Sequence, residues 1–274
     1  MSVIRVFPRR TSFTPQDEFA FVGDPPLLRP IAKEAQVSVT FTWDIAEAER
    51  LAKAWGQYYP VSLGGPALNS SCDGFQPGLY IKPGVVFTSR GCNHNCPWCL
   101  VPEREGRLHL LEPAPGHLIQ DNNFLQTGRA HMSKVFALLR SQNAIEFTGG
   151  LEADLVDDWF AEELKGLRIR QVFLACDTEG HLKPLEKAAQ KLAYLGRNKL
   201  RCYVLLGFNG ESMQKGEERL RRIWEIGCLP FPQLYQPPDY WIDYSPEWRH
   251  FQRVWCRPAA TKAMMRMPMI PATE

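Results

Sequence analysis

Residues 85–102 read VVFTSRGCNHNCPWCLVP: an apolar run, Val85-Val86-Phe87, that leads into a loop carrying Cys92, Cys96 and Cys99. The spacing is C-x3-C-x2-C. Thiolates so placed converge on one soft metal centre, and cysteine thiolate is the usual ligand of iron–sulfur clusters. Three such ligands leave one iron of a cubane cluster open to bind something else. A structural zinc site asks for four closed ligands, usually as two separated C-x2-C pairs. The remaining cysteines (Cys72, Cys176, Cys202, Cys228 and Cys256) stand singly, and His94 is the one other donor inside the loop. A disulfide is disfavoured, because Cys96 and Cys99 flank Pro97-Trp98 and no secretory context accompanies them.

Strand and helix patterns alternate from this loop onward. Val85 to Thr88 reads as a first strand and His117 to Gln120 as a second, which ends in Asp121-Asn122-Asn123. A helix follows with Met132, Val135, Phe136 and Leu139 on one face. Ala144 to Thr148 is a third strand, stopped by Gly149-Gly150, and a helix over 155–165 is expected to bury Leu155, Trp159, Phe160 and Leu164. Gln171 to Ala175 is the fourth strand. The next helix starts near 182 with Pro184 in its first turn, is apolar at Leu185, Ala188, Leu192 and Leu195, and stops at Gly196. Cys202 to Leu206 and Pro230 to Tyr235 are the fifth and sixth strands, separated by a helix with Leu220, Ile223 and Trp224 that Gly227 ends. Six strand–helix units in succession imply a parallel sheet covered by helices. A complete eight-unit barrel takes ~250 residues, and about 190 remain after Gly84. The expected fold is therefore α/β, with a partial, open six-stranded (β/α)6 barrel over 84–257.

The first 83 residues form a separate small α/β region. Gln36 to Thr42 alternates as a strand. Asp44 stands three residues before Glu47 in capping-box spacing, and Ile45, Ala48, Leu51, Ala52 and Trp55 mark a helix ended by Gly56. Val61 to Leu63 is a second short strand. After Pro258 the Met- and Pro-rich segment 258–274 reads as a flexible tail, and Trp241, Trp248 and Trp255 with Phe251 suggest one aromatic face of a final helix.

Composition is ordinary for a globular protein, with 45% hydrophobic and 23% charged residues among 274 and a net charge of +2. That charge gives no indication of nucleic-acid binding. No apolar run approaches the ~18 residues of a membrane span. The opening MSVIRVFPRR lacks the apolar core of a secretory signal, so the expected location is the reducing cytoplasm.

The cysteine spacing, with Trp98 directly before the last cysteine, resembles that of the radical S-adenosylmethionine (radical SAM) superfamily, and the resemblance covers residues 84–236. It implies a [4Fe-4S] cluster on Cys92, Cys96 and Cys99, with S-adenosylmethionine (SAM) chelated at the open iron through its methionine end. It also implies a one-electron reductant such as flavodoxin or ferredoxin, and oxygen sensitivity. The implied reaction is reductive cleavage of SAM to a 5′-deoxyadenosyl radical that abstracts hydrogen from a substrate.

By the same resemblance, the cofactor is held at the C-terminal ends of the strands. Asp121-Asn122-Asn123 followed by Phe124 is similar to the segment that holds the methionine amino group in cobalamin-type members. Gly149-Gly150 with Glu152 is the rival for that task, because it resembles the Gly-Gly-Glu motif of other members, although Leu151 stands where that motif has glutamate. Asp177 is placed to accept from ribose hydroxyls or to cap the helix that follows. YVLLGFNGES resembles the adenine-contacting segment, with Gly207 and Gly210 matching its glycines and Glu211 its acidic residue. Gln233 and Tyr235 alternate on one face of the sixth strand as lining residues, and Trp98 shields the cluster.

The region 1–83 resembles a cut-down Rossmann-like cobalamin-binding domain. It lacks that domain's cobalt-ligating histidine motif, so cobalamin is not expected. The stretch GCNHNCPWCLVPEREGR also looks like the cluster loop of methylthiotransferases that modify RNA or protein. Their second cysteine set and following β-rich domain have no counterpart here. The alternative outside enzymes is an iron–sulfur or zinc scaffold without catalysis. Nothing in the chain selects a substrate.

Overall fold

The computed structural model describes residues 2–68, 76, 78–237 and 240–266. The chain divides into two compact units, residues 1–85 and 86–274.

The first unit is built on four parallel strands, β1 (Val3–Phe7), β2 (Ala20–Val22), β3 (Glu34–Ser38) and β4 (Val61–Gly64), in the order β2-β1-β3-β4. The strand expected over 36–42 lies earlier, as β3, and β4 stands where expected, whereas β2 and the central strand β1 are not marked in the sequence, β1 because Arg5 interrupts its apolar run. That guanidinium is buried, ion-paired with Asp17 and hydrogen-bonded to the Leu79 carbonyl at 2.7 Å. Helix α1 (Ile45–Trp55) joins β3 to β4 and lays Ala48, Leu51 and Trp55 onto Ile4, Val6, Val37 and Val39. The capping box does not form: Asp44 makes no cap hydrogen bond, because both its oxygens accept from Arg9.

The second unit carries a six-stranded sheet in the order β12-β11-β10-β9-β8-β5. Its strands are β5 (Val85–Val86), β8 (Leu118–Ile119), β9 (Ile145–Glu152), β10 (Ile169–Ala175), β11 (Leu200–Leu206) and β12 (Leu229–Leu234). Pairings from β8 to β12 are all parallel, each strand beside its predecessor in the chain. Between β5 and β8 lies a two-stranded antiparallel ribbon, β6 (Ser89–Arg90) and β7 (His109–Leu110), with the short helix α2 (Val101–Glu105) in the loop it closes. The covering helices are α3 (Arg129–Leu139), α4 (Asp158–Lys165), α5 (Leu182–Lys191) and α6 (Met213–Ile226). They start and stop as local chemistry directs. Asp157 caps α4 by accepting from the Phe160 N–H, Ser212 caps α6 through Lys215, and Gly227 ends α6 at a φ of 109°.

Core packing follows the expected periodicity, with Met132, Val135, Phe136 and Leu139 of α3 and Phe160 and Leu164 of α4 all buried. Phe136 meets Phe124 and Phe160 at 5.9 Å between ring centroids. Leu155 departs from expectation at 40% exposed, because α4 begins only at Asp158. Trp241 also lies outside the final helix and is 61% exposed; α7 (Pro246–Cys256) presents Phe251 and Trp255 to the core. The expected loose tail is in part a helix, α8 (Pro258–Met264), held where the buried Thr261 hydroxyl donates to the Trp255 carbonyl at 2.8 Å. Residues 267–274 of that tail, and Cys72, lie outside the described residues.

Strand β9 does not stop at Gly149-Gly150. It runs through both glycines to Glu152, with a register shift against β10 between the pairs Val172–Phe147 and Leu174–Leu151. Such an irregularity bends a strand and re-aims the residues beyond it. A side chain is impossible at Gly149, where a Cβ would lie 1.7 Å from the Asp121 carbonyl oxygen. Gly149 thus serves β8–β9 packing, Gly150 at a φ of 83° lies against Tyr203, and the strand beyond them carries Glu152 to the end opposite Ala175.

Candidate functional site

The cysteine loop is anchored at its root by two carboxylates. Asp121, at the end of β8, is 2% exposed. It accepts from the Thr88 N–H, the Thr88 hydroxyl and the Ser89 hydroxyl, each at 2.6 Å. Burial pushes its carboxyl above the ordinary aspartate value, and the Ser89 and Thr88 donors offset part of that rise. Glu105 of α2 accepts from Arg90 at 2.8 Å, the Gly91 N–H at 3.0 Å and Asn122 Nδ2 at 2.5 Å. Gly91 has a φ of 75° and no room for a side chain, since a Cβ would meet the Arg107 carbonyl oxygen at 2.3 Å.

The first half of the loop is tied to Glu152. His94 Nε2 lies 2.8 Å from Glu152 Oε1, while Oε2 accepts from Asn123 Nδ2 at 2.8 Å and Gln126 Nε2 at 3.2 Å. Gln126 in turn accepts from the Asn93 N–H at 2.9 Å. Asn123 is 6% exposed, and its Oδ1 is buried with no hydrogen-bond partner. The Cys99 N–H donates to the Cys96 carbonyl at 3.0 Å, a tight turn that puts these two cysteines side by side on the backbone.

The second half of the loop meets the segments that follow β10 and β11 through Trp98. Its indole N–H lies toward the Asp177 carboxylate, as does the Leu205 N–H, and both favour the ionised form. Burial raises the Asp177 carboxyl, against the lowering effects of His181, these two donors and Arg219. Asp177 caps no helix; Thr178 occupies the position before the next helical turn. Trp98 packs edge-on to Phe208 at 5.3 Å, and Phe208 to Tyr235 at 4.9 Å. Gly207 and Gly210 both take positive φ, 79° and 70°. Gly207 is pressed against Tyr244, whose hydroxyl would lie 2.6 Å from a Cβ there. Glu211 accepts from the Gly207 N–H at 3.1 Å and pairs with Arg219 at 2.9 Å. Arg219, buried on α6, also donates to the Asp177 carbonyl at 2.9 Å and to the Leu205 carbonyl, knitting the ends of β10 and β11 together.

One end of the sheet therefore gathers the cysteine loop, Asn122, Asn123, Glu152, Asp177, Gly207, Gly210 and Tyr235. Asp121 supports this end from below as an anchor of the loop. Gln233 is exposed on β12, and no hydrogen bond or ring contact among the described residues ties it to the Trp98–Phe208–Tyr235 row. Sequence reasoning missed Glu105, Gln126 and Arg219. Each acts on a partner distant in sequence, and none sits in a periodic pattern that marks it.

The donor chemistry suits a soft cation. Cys92, Cys96 and Cys99 are free thiols and none is buried. Partial burial pushes the Cys96 thiol up, and Cys99, Cys92, Asp177 and Glu152 add to that rise. Burial raises Cys99 as well, offset by the Val101 N–H and reinforced by Cys92, Asp177 and Glu105. A site whose thiols and carboxylates oppose one another's ionisation is one that a cation stabilises. His94 is turned to Glu152, which leaves the three thiols as the donors. Among the described residues no three His, Cys, Asp or Glu side chains are gathered as they stand to hold a metal ion.

No family model and no curated protein matches this chain. Among the described residues no helix is long and apolar enough to cross a membrane.

Proposed function

We propose that this chain is a radical SAM enzyme, with a [4Fe-4S] cluster on Cys92, Cys96 and Cys99 and SAM bound across the C-terminal strand ends. One observation carries the reading. The C-x3-C-x2-C loop shares one end of a six-stranded parallel sheet with a buried unpartnered acceptor, two carboxylates and a positive-φ glycine segment. When bound and reduced, the cluster supplies the electron that cleaves SAM to methionine and a 5′-deoxyadenosyl radical, which removes hydrogen from a substrate.

The chain's own residues position and enclose. Asn123 Oδ1, buried without a donor, is the acceptor for the methionine ammonium, with Glu152 fixing the carboxamide from its other side. Asp177 is the acceptor for ribose hydroxyls. The backbone of Gly207 to Gly210 faces the adenine edge, and Trp98, Phe208 and Tyr235 exclude water from the cleft. In this reading the six strands curl into a partial open barrel around the site. The electron comes from a flavodoxin- or ferredoxin-type donor, and the oxygen-sensitive protein works in the reducing cytoplasm. Cobalamin plays no part.

The test is anaerobic reconstitution with iron and sulfide, addition of SAM and dithionite, and quantification of 5′-deoxyadenosine beside a Cys96→Ala control. Product from the wild type alone supports the reading. A well-formed cluster that neither binds SAM nor yields product would overturn it in favour of a non-catalytic scaffold.

A further inference from the structure

Strand β12 is an edge strand of the six-stranded sheet, and a groove beside it is lined by Phe231, Gln233, Trp241, Tyr244, Arg249 and Gln252 among others. Phe231, Gln233 and Tyr235 alternate onto one face. Phe231 pairs with Tyr203 across the sheet, and their rings lie 5.6 Å apart with Phe173 against both. One row further, Gln233 pairs with Leu205, whose N–H lies toward the Asp177 carboxylate. Tyr235 then meets Phe208. Gln233 thus occupies the row between an aromatic floor and the strand-end site. Tyr244 belongs to both places: it lines the groove, donates to the Tyr235 carbonyl at 3.0 Å and packs on Gly207.

Two further features narrow what the groove takes. The Tyr235 N–H donates to the Leu206 carbonyl, so the main chain of every second residue, Gln233 and Phe231 included, faces β11. The alternate positions that face outward include Pro230 and Pro232, which have no N–H, and the Pro232 carbonyl already accepts from Gln252 and Cys256, both at 3.3 Å. An extended peptide cannot add as a further strand here. The charges in the groove also cancel, since Arg249 pairs with Asp243. The Gln233 carboxamide has no hydrogen bond among the described residues, and it lines the groove together with Phe231 and Trp241, the latter 61% exposed.

From this geometry we infer that the groove is the substrate-recognition site of the proposed reaction, with Gln233 as its reading residue. The class of substrate is an uncharged planar nitrogen heterocycle of nucleobase type. A carboxamide offers a donor beside an acceptor, which matches a ring edge with the complementary pair, and the aromatic side chains stack on its faces. The inference rests on the proposed function for the chemistry done, but binding is read without it.

The experiment titrates the full-length protein under argon with adenosine, guanosine, cytidine and uridine, and with N-acetylglycine N-methylamide as a peptide-like probe, by saturation-transfer NMR. Each titration is repeated with excess SAM and with Gln233→Ala, whose fold is checked by circular dichroism. The expected result is binding of at least one nucleoside that survives SAM and weakens about tenfold in Gln233→Ala. Four results would overturn the inference: no nucleoside binding, binding unchanged by Gln233→Ala, displacement by SAM, or binding of the amide probe alone. Deoxyadenosine formation is measured separately, so failure of the radical reading and failure of this one are distinguishable.

Discussion

Asn123 Nδ2 donates to Glu152 Oε2 at 2.8 Å, which joins two segments that compete in the sequence for one role. The end of β8 and the end of β9 are neighbours, so the Asp121–Asn123 segment and the glutamate after Gly149-Gly150 meet in one arrangement. Within it the roles divide. Asp121 is spent on holding the loop root, whereas Asn123 and Glu152 face the site.

Glu152→Ala removes the anchor of His94, Asn123 and Gln126 together. A hydrogen bond to a charged group contributes about 1.5–3 kcal/mol, so SAM affinity of the reconstituted protein is expected to fall about tenfold or more, with Glu152→Gln intermediate. Equilibrium dialysis with labelled SAM reads this, and an unchanged affinity would remove Glu152 from the site.

Asp121 makes stability depend on pH in a defined direction. Its carboxyl is raised by burial, so just above the ordinary aspartate pKa the folded chain binds more protons than the unfolded one. That contribution is present in full below the ordinary value and is lost as pH rises through the raised one. His131, which faces it and whose pKa burial lowers, pulls the opposite way as pH falls. Asp121→Asn isolates the first effect. Its urea-unfolding free energy is expected to gain on the wild type as pH rises across that window, while Asp121→Ala, which strands the Thr88 and Ser89 donors, loses about 2–4 kcal/mol throughout.

The glycines near the site are not equivalent. A Cβ at Gly149 meets backbone at 1.7 Å, whereas one at Gly210 meets nothing within 4 Å and suffers only from a φ of 70°. Gly149→Ala is expected to prevent stable folding, and Gly210→Ala to cost about 1–2 kcal/mol. Thermal melts of the two variants side by side check the contrast.

Arg219 is 7% exposed at its side chain and pairs with Glu211 at 2.9 Å. Removing one member of a buried pair costs about 3–5 kcal/mol, because the other is left charged without compensation. Arg219→Met should lose that much, and adding Glu211→Gln should restore a large part of it. Additive losses in the double variant would show that the two residues act independently.

Much of the fold is legible in local pattern. The helix faces of α3 and α6, the stop at Gly227 and the parallel strand order all follow from periodicity and punctuation that lie within a few residues of one another. The misreadings share a cause. Arg5 broke an apolar run because its partners Asp17 and Leu79 are remote, and Gly149-Gly150 looked like a strand end because what they pack against, the Asp121 backbone for Gly149 and Tyr203 for Gly150, is also remote. Asp44 had capping-box spacing, yet Arg9 took its carboxylate first.

By itself the sequence determined the three-thiol loop, its position after a buried strand and the train of parallel units behind it, because spacing and alternation are properties of neighbouring residues. Only the tertiary structure decided that Glu152 joins Asn123, that Trp98 reaches Asp177, that Arg219 locks the ends of β10 and β11 and that Tyr244 links the groove to Gly207. These relationships connect residues between eight and 79 positions apart. They exist only once strand register and the β9 bulge have brought those side chains within hydrogen-bonding reach.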